Sequence, residues 1–200
     1  MTAAQQGHFV LISGANRGIG FSLIPAVLER TPSAVIFAGA RDPANATELN
    51  DLAKKHPNVR VIKLVADDEE SNKQAVEEVN KVTDRLDVVV ANAGIAFGAA
   101  PVHTDASSTY KQTFEVNTLG PLKVAVNYLA LAMHHQTEDV GAVVIPYHPD
   151  PQAYSHIPNM PRAITPEQSA REYVDLIDRS TREEHGGKFW GHGSTEPLPW

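Results

Sequence analysis

Short apolar segments alternate with amphipathic segments through the first ninety residues of the chain. The apolar segments are predicted as buried strands over residues 8–13, 34–39, 59–65 and 86–91. The segments between them place apolar residues at helical spacing and predict helices over residues 18–30, 45–56 and 70–84. Continuous apolar strands that alternate with helices are typical of a parallel sheet covered on both faces. The pattern therefore predicts a doubly wound α/β fold.

The second half of the sequence is less regular. Residues 106–136 form one long helical pattern that Gly120-Pro121 interrupts. A strand is predicted over residues 141–146, a proline-rich loop over 147–165, and a last short strand over 188–193. Between the loop and the last strand a helix is predicted over 166–182, with Thr165 as its N-cap and Pro166 at its first position.

The arrangement expected is a single domain, residues 1–200. The 141–146 strand is expected to pair directly beside the 86–91 strand. The long helix then becomes the crossover between these two strands, bent at Pro121 because the proline ring removes an amide donor and clashes one turn back.

Composition narrows the functional classes. The chain has 200 residues, a formal net charge of −7 and no cysteine. A negative protein has no general electrostatic attraction for nucleic acid or anionic membranes, and disulfides and thiolate metal sites are excluded. No apolar stretch is long enough to span a bilayer, and the first residues do not resemble a targeting peptide. A cytoplasmic location is expected.

A glycine-rich turn follows the first predicted strand and opens the first predicted helix. It reads SGANRGIG over residues 13–20. Gly14 permits a tight turn, Gly18 allows close approach of a phosphate to the backbone, and Gly20 lets the helix pack near the strand. The amide groups at the start of the helix attract a pyrophosphate. This motif predicts nucleotide binding.

Three motifs together resemble the short-chain dehydrogenase/reductase family. They are SGANRGIG, ANAG at residues 91–94, and VNTLGP at residues 116–121, in the order of that family. The carboxyl-terminal stretch GGKFWGHGSTEPLPW resembles fungal polyketide ketoreductases of the norsolorinic acid ketoreductase type. The resemblance implies a Rossmann domain with one strand fewer than the family and an NADP-dependent oxidoreductase acting on a small ketone or alcohol. It also implies contacts of the cofactor with Gly14, Asn16, Arg17, Gly18, Ile19, Gly20, Arg41, Asp67, Asn92, Ala93 and Gly94.

The choice between NAD and NADP depends on the end of the second strand. NAD-dependent enzymes commonly have a carboxylate there, which binds the ribose hydroxyls. This chain has Ala40 at that position, followed by Arg41, and Arg17 lies within the glycine turn. Two guanidinium groups suit the 2′-phosphate of NADP. The alternative is that Arg41 is a surface charge paired with Asp42.

The catalytic residues that the family implies are only partly present. Asn117 matches the family asparagine, and Lys123 begins a stretch like the one that follows the catalytic lysine. No tyrosine in the chain has a lysine four residues later, and the family serine is also absent. Asn117 and Lys123 stand six positions apart, whereas the family places a strand, the serine and the tyrosine between them. An internal deletion with its seam at residues 120–122 explains this spacing and favours an ordinary solvated role for Lys123.

Several alternatives stay open. The chain is either a ketoreductase of secondary metabolism or a non-catalytic NADP-binding remnant, and a mis-spliced gene product would have the same sequence. A weaker alternative is a cyclase or isomerase that uses Tyr147, His148 or Asp150 as acid or base. Asp150 also replaces a family glycine and is expected to weaken cofactor binding. A metal site is not expected, since adjacent His134 and His135 point in different directions on a helix. Homo-oligomer formation is left open.

Overall fold

The computed structural model describes residues 8–94, 135, 137–148 and 164–198. Some of the sequence-based predictions concern residues outside these ranges. Residues 106–134 of the predicted long helix, with Gly120-Pro121, lie outside the described residues, as do Asn117, Lys123 and Asp150.

Most of the described elements are shorter than predicted, whereas the first helix keeps its predicted bounds and the second strand is shifted by one residue. The strands are β1 (Phe9–Ser13), β2 (Val35–Ala40), β3 (Val59–Lys63), β4 (Val88–Val90), β5 (Tyr147–His148) and β6 (Trp190–Gly191). The helices are α1 (Gly18–Arg30), α2 (Thr47–Lys55), α3 (Glu69–Asn80) and α4 (Pro166–Arg179), with a short 3-10 turn at Pro43–Asn45 before α2.

The main sheet has four parallel strands in the order β3-β2-β1-β4. The chain proceeds outward from β1 through β2 to β3 and then returns to the other side of β1 as β4. This reversal confirms the predicted doubly wound arrangement. The carboxyl ends of β1 and β4 therefore meet at the switch point of the sheet, where such folds bind their ligands.

Helices cover both faces of the main sheet. One core cluster joins β1, β2, β3 and β4 to α1, α2 and α4, and includes the fully buried Leu23, Ile24, Ile36 and Leu49. A smaller cluster on the other face joins Phe9, Phe37 and Ile62 to α3. Burial of strand residues on both faces explains why the strand segments are continuously apolar.

Helix α4 anchors the carboxyl-terminal part of the chain to α1. Ala170 and Val174 lie in the larger core cluster, and Arg30 forms ion pairs with Asp175 and, at 2.8 Å, with Asp178. The predicted start of α4 is confirmed. Thr165 is the N-cap and forms a reciprocal capping box with Gln168.

The prediction of a strand over residues 141–146 is wrong, and so is its expected pairing beside β4. Among the described strands β4 pairs with β1 only, and β5 pairs with β6 in a separate two-stranded sheet. Carbonyl groups of segment 142–146 instead accept hydrogen bonds from residues that follow α4. Ala142 O accepts from the Arg182 guanidinium, Val144 O from Gly187 N at 2.9 Å, and Pro146 O from Trp190 N at 3.0 Å.

Asp87 closes the amino-terminal end of the β1–β4 pair with its side chain. Its Oδ2 accepts a hydrogen bond from Phe9 N at 2.7 Å, and its own amide donates to Phe9 O at 2.9 Å. Arg85 Nε lies 3.2 Å from Asp87 Oδ1. The side chain and the backbone amide of Asp87 thus both bind Phe9 at the start of β1.

We expect Asp87→Ala to lower the free energy of unfolding by about 1–3 kcal/mol, because Phe9 N loses its acceptor in a partly buried position. Urea titration followed by circular dichroism would measure the change. The control is Asp51→Ala, which removes an exposed ion pair to Lys54 and should change stability by about 0.5 kcal/mol or less. Equal effects of the two substitutions would contradict the assigned role of Asp87.

Candidate functional site

Loops that follow β1, β2, β3 and β4 gather at the carboxyl edge of the main sheet. The glycine turn of residues 14–17 leads from β1 into α1, and residues 91–94 follow β4 next to it. Arg41 follows β2, and Asp67 follows β3. The parallel register brings these loops to one edge, so the predicted cofactor residues of the first ninety-four positions share one region of the surface.

The glycine turn is packed too closely for side chains at two of its positions. Gly14 has a φ of 66°, and a Cβ there would lie 2.8 Å from Ala93 Cα. A Cβ on Gly20 would collide with Gly14 O and with the Asn92 side chain. Gly18 also has a positive φ, of 58°, but its Cβ direction is open space. Gly14 and Gly20 therefore serve packing, whereas Gly18 faces an open region.

The amino-terminal end of α1 is left without a side-chain cap. Arg17 occupies the N-cap position in extended conformation, makes no capping hydrogen bond, and no acidic residue lies in the first turn. The other two long helices differ, since Asp68 caps α3 and Thr165 caps α4. The first amide groups of α1 and the positive end of its dipole thus remain available to an anion.

Ser13 and Asn92 connect the glycine turn to the end of β4. Ser13 Oγ accepts hydrogen bonds from Asn92 N at 3.0 Å and Ala93 N at 2.9 Å. Asn92 Nδ2 donates in return to Ser13 O at 3.0 Å and Gly14 O at 3.3 Å. Sequence reasoning identified Asn92 but missed Ser13. The feature that could have identified Ser13 is its hydroxyl group at the last position of β1, where backbone amides of the neighbouring strand end need an acceptor.

The end of β2 carries an exposed cation and no carboxylate. Ala40 is buried, and Arg41 is exposed immediately after it. Asp42 accepts a hydrogen bond from Asn45 Nδ2 at 2.7 Å, and this bond lowers the pKa of Asp42, to which Arg41 adds only a minor contribution. Within the described ranges neither Arg17 nor Arg41 forms an ion pair. The ion pair between Arg41 and Asp42 that the alternative interpretation requires is therefore absent from the described residues.

The loop after β3 places its two aspartates differently. Asp68 Oδ1 accepts from Glu70 N and Ser71 N and caps α3, while Asp67 is exposed. An apolar cleft of about 380 Å³ between α3 and β4 extends to Ser13, Ala66 and Ala93 at the carboxyl edge. Asp67 is not among the described residues that line it.

The remaining candidates of the sequence analysis are only partly described. Asn16 is exposed, Ile19 is half-buried and Gly94 is exposed at the end of the β4 loop. Tyr147 packs its ring edge-on against Tyr173 of α4, with ring centroids 4.2 Å apart. In the described part of the chain, no three His, Asp or Glu residues are grouped to hold a metal ion, and no helix is long and apolar enough to cross a membrane.

Comparison with known proteins identifies the family. The sequence profile described as "short chain dehydrogenase" matches residues 8–145, which include the glycine turn and the loop after β4. The chain belongs to this family. The match covers both partners of the Ser13–Asn92 connection.

Curated relatives match along nearly the whole chain. An uncharacterized oxidoreductase of Schizosaccharomyces pombe is 28% identical over 256 aligned positions, which cover 99% of this chain and 100% of the relative. Norsolorinic acid ketoreductase of Dothistroma septosporum is 26% identical over 245 positions, which cover 95% of this chain and 91% of the relative. Both alignments are longer than the 200-residue chain, so they contain positions of the relatives that have no counterpart here.

Solved structures confirm the fold of this short-chain dehydrogenase. The carbonyl reductase Sniffer of D. melanogaster superposes with a TM-score of 0.82 at 20% identity and covers 98% of this chain and 100% of its own. An NADPH-bound carbonyl reductase from chicken fatty liver also has a TM-score of 0.82 at 20% identity, and covers 96% of this chain and 99% of its own.

We expect Ser13→Ala to destabilise the protein by about 1–3 kcal/mol, because the amide of Ala93 loses its acceptor and the amide of Asn92 keeps only Val90 O. It should also weaken dinucleotide binding, since the turn is no longer fixed to β4. Thermal unfolding and fluorescence titration with NADPH would measure the two effects. Ser33→Ala, at an exposed turn position, is the control. If both variants bind and unfold like the unmodified chain, Ser13 does not position the turn.

Proposed function

We propose that this short-chain dehydrogenase binds NADP(H) at the carboxyl edge of the main sheet and is of the ketoreductase type, with turnover limited by missing catalytic residues. The observation that carries the proposal is the uncapped start of α1, fixed beside β4 by Ser13 and Asn92 and flanked by Arg17 and Arg41. Open amides, with two guanidinium groups that form no ion pair among the described residues, suit a ligand that has both a pyrophosphate and a further phosphate.

The residues of the turn fit such a dinucleotide. The backbone of Gly14, Asn16, Gly18, Ile19 and Gly20 would surround the pyrophosphate, because no side chain fills the space at Gly18 and no cap occupies the amides of α1. When bound, the cofactor would supply or accept a hydride. The chain's own part is to hold and orient the dinucleotide.

The loops after the other strands would contact the adenosine half of the dinucleotide and support its position. Arg17 and Arg41 would bind the 2′-phosphate. Because Ala40 stands where NAD-dependent enzymes commonly have a carboxylate, no negative side chain at that position repels the phosphate. Asn92, Ala93 and Gly94 support the turn from the side of β4. Asp67 is proposed on the adenine side, although Ala66 rather than Asp67 borders the described cleft.

The catalytic residues match the family less completely than the cofactor residues do. Asn117 and Lys123 are proposed from the family resemblance, and none of the five tyrosines has a lysine four positions later. The alignments that exceed the chain in length support the interpretation that a segment is missing relative to full-length relatives. Carbonyl reduction needs a proton donor at the oxygen as well as a hydride at the carbon, and the serine and tyrosine that provide orientation and proton are absent.

A non-catalytic NADP-binding protein is the second candidate. The glycine turn and the loops after β1 to β4 contain the residues expected for cofactor binding. This favours a protein that still binds the cofactor but does not reduce a ketone efficiently. A product of altered splicing would have the same features. The cyclase or isomerase alternative is weaker, because Tyr147 is engaged with Tyr173 of α4.

The similarity to norsolorinic acid ketoreductase supports an aromatic polyketide ketone or its alcohol as the substrate class, within secondary metabolism. We further propose a single domain over residues 1–200, since α4 returns to pack on α1. A cytoplasmic location is proposed from the absence of cysteine.

We expect the chain to bind NADPH more tightly than NADH, and Arg41→Gln to weaken NADPH binding about tenfold or more by removing a charged hydrogen bond worth about 1.5–3 kcal/mol. NADH affinity should change little. Titration of cofactor fluorescence measures both. Arg171→Gln, an exposed cation on α4 away from the strand ends, should leave both affinities unchanged. Equal affinity of the unmodified chain for NADPH and NADH would refute the assignment.

The comparison is with a version of the chain in which the missing family segment is inserted between Leu122 and Lys123. We expect the unmodified chain to consume NADPH with aromatic ketones at least about a hundredfold more slowly than that version, because a general acid contributes about two to four orders of magnitude in rate. The two proteins should bind NADPH with similar affinity, and this serves as the folding control. Rapid turnover by the unmodified chain would show that another residue donates the proton.

A further inference from the structure

A third cation stands at the strand ends where the 2′-phosphate is proposed to bind. Lys63 is the last residue of β3, and its Cα pairs in register with that of Ala40 at the end of β2. The hydrogen bond from Leu64 N to Ala40 O, at 3.0 Å, holds the two strand ends together. Neighbouring strands lie about 4.8 Å apart, so Lys63 is the nearest residue of β3 to the position where NAD-dependent relatives place a carboxylate.

Strand alternation places the Lys63 side chain on the same face as that of Ala40. Ala40 belongs to the core cluster on the α1, α2 and α4 side, and Val61 packs against that cluster too. Ile62 belongs to the cluster on the opposite face. Because successive side chains of a strand alternate between faces, Lys63 shares the face of Val61 and therefore of Ala40.

Lys63 is exposed at the end of β3. Among the described residues no carboxylate pairs with it. Asp42, which is close in sequence to Ala40, is engaged with Asn45. The consecutive ends of β1, β2 and β3 thus lead to Arg17, Arg41 and Lys63, a row of three cations at one edge of a protein whose net charge is −7.

We propose that Lys63 is a specificity-determining residue that binds the 2′-phosphate of NADP(H) together with Arg17 and Arg41. This inference rests on the proposed function. A phosphate monoester carries close to two negative charges at neutral pH, so a third cation adds attraction after two guanidinium groups are in place. The lysine acts as a mobile point charge, whereas the arginines provide forked hydrogen bonds.

The test compares two nucleotides that differ in the 2′-phosphate, adenosine 2′,5′-bisphosphate and adenosine 5′-monophosphate, by calorimetric titration of the full chain. Lys63→Gln should weaken binding of the bisphosphate about three- to tenfold and leave the monophosphate unchanged, while Lys63→Arg should retain most of the affinity. The loss should shrink as salt is raised, since the interaction is between partly exposed charges.

Arg60→Gln is the matched control, because Arg60 is an exposed cation on the same strand but on the opposite face. It should bind both nucleotides like the unmodified chain. If the unmodified chain prefers the bisphosphate and Lys63→Gln keeps that preference in full, the role of Lys63 is refuted and the proposed function stands. If the unmodified chain does not distinguish the two nucleotides, the 2′-phosphate assignment itself fails.

Discussion

The reciprocal hydrogen bonds between Ser13 and Asn92 are the interaction on which the candidate site depends. They join the ends of β1 and β4, which are far apart in sequence and adjacent at the switch point of the sheet. The glycine turn follows Ser13 directly, so its position is set by this connection and by the close contacts of Gly14 and Gly20. A turn held in this way presents the amides of α1 in a fixed direction without a ligand, which lowers the ordering cost of binding.

Electrostatics at the same edge favours an anion for two independent reasons. The start of α1 carries neither a capping side chain nor an acidic residue, and its backbone amides remain open. Arg17 and Arg41 follow the ends of β1 and β2, and Lys63 ends β3. Of the carboxylates at this edge, Asp42 is engaged with Asn45, Asp68 caps α3, and Asp67 is exposed. The three cations attract phosphate groups locally in a protein whose net charge is −7.

The described carboxyl-terminal part of the chain forms its backbone hydrogen bonds within itself and adds no strand to the main sheet. Carbonyl groups of segment 142–146 bond to residues after α4, and β5 joins β6 rather than the main sheet. Helix α4 nevertheless packs on α1 and completes one face of the main core. The carboxyl-terminal helix therefore supports the main sheet that the first ninety residues form.

Sequence by itself determined the elements whose signals are local. The periodicity of β1–β4, the glycine turn and the Thr165 cap each depend on neighbouring residues, and the described structure confirms these elements. Strand pairing of residues 141–146 was predicted wrongly, since the choice of a partner strand depends on contacts between distant segments. Ser13 was missed for the same reason: its partners lie beyond residue 90 and meet it only when β4 returns beside β1. The face and register that bring Lys63 beside Ala40 were likewise decided by the tertiary structure, because a sequence does not state which strands become neighbours.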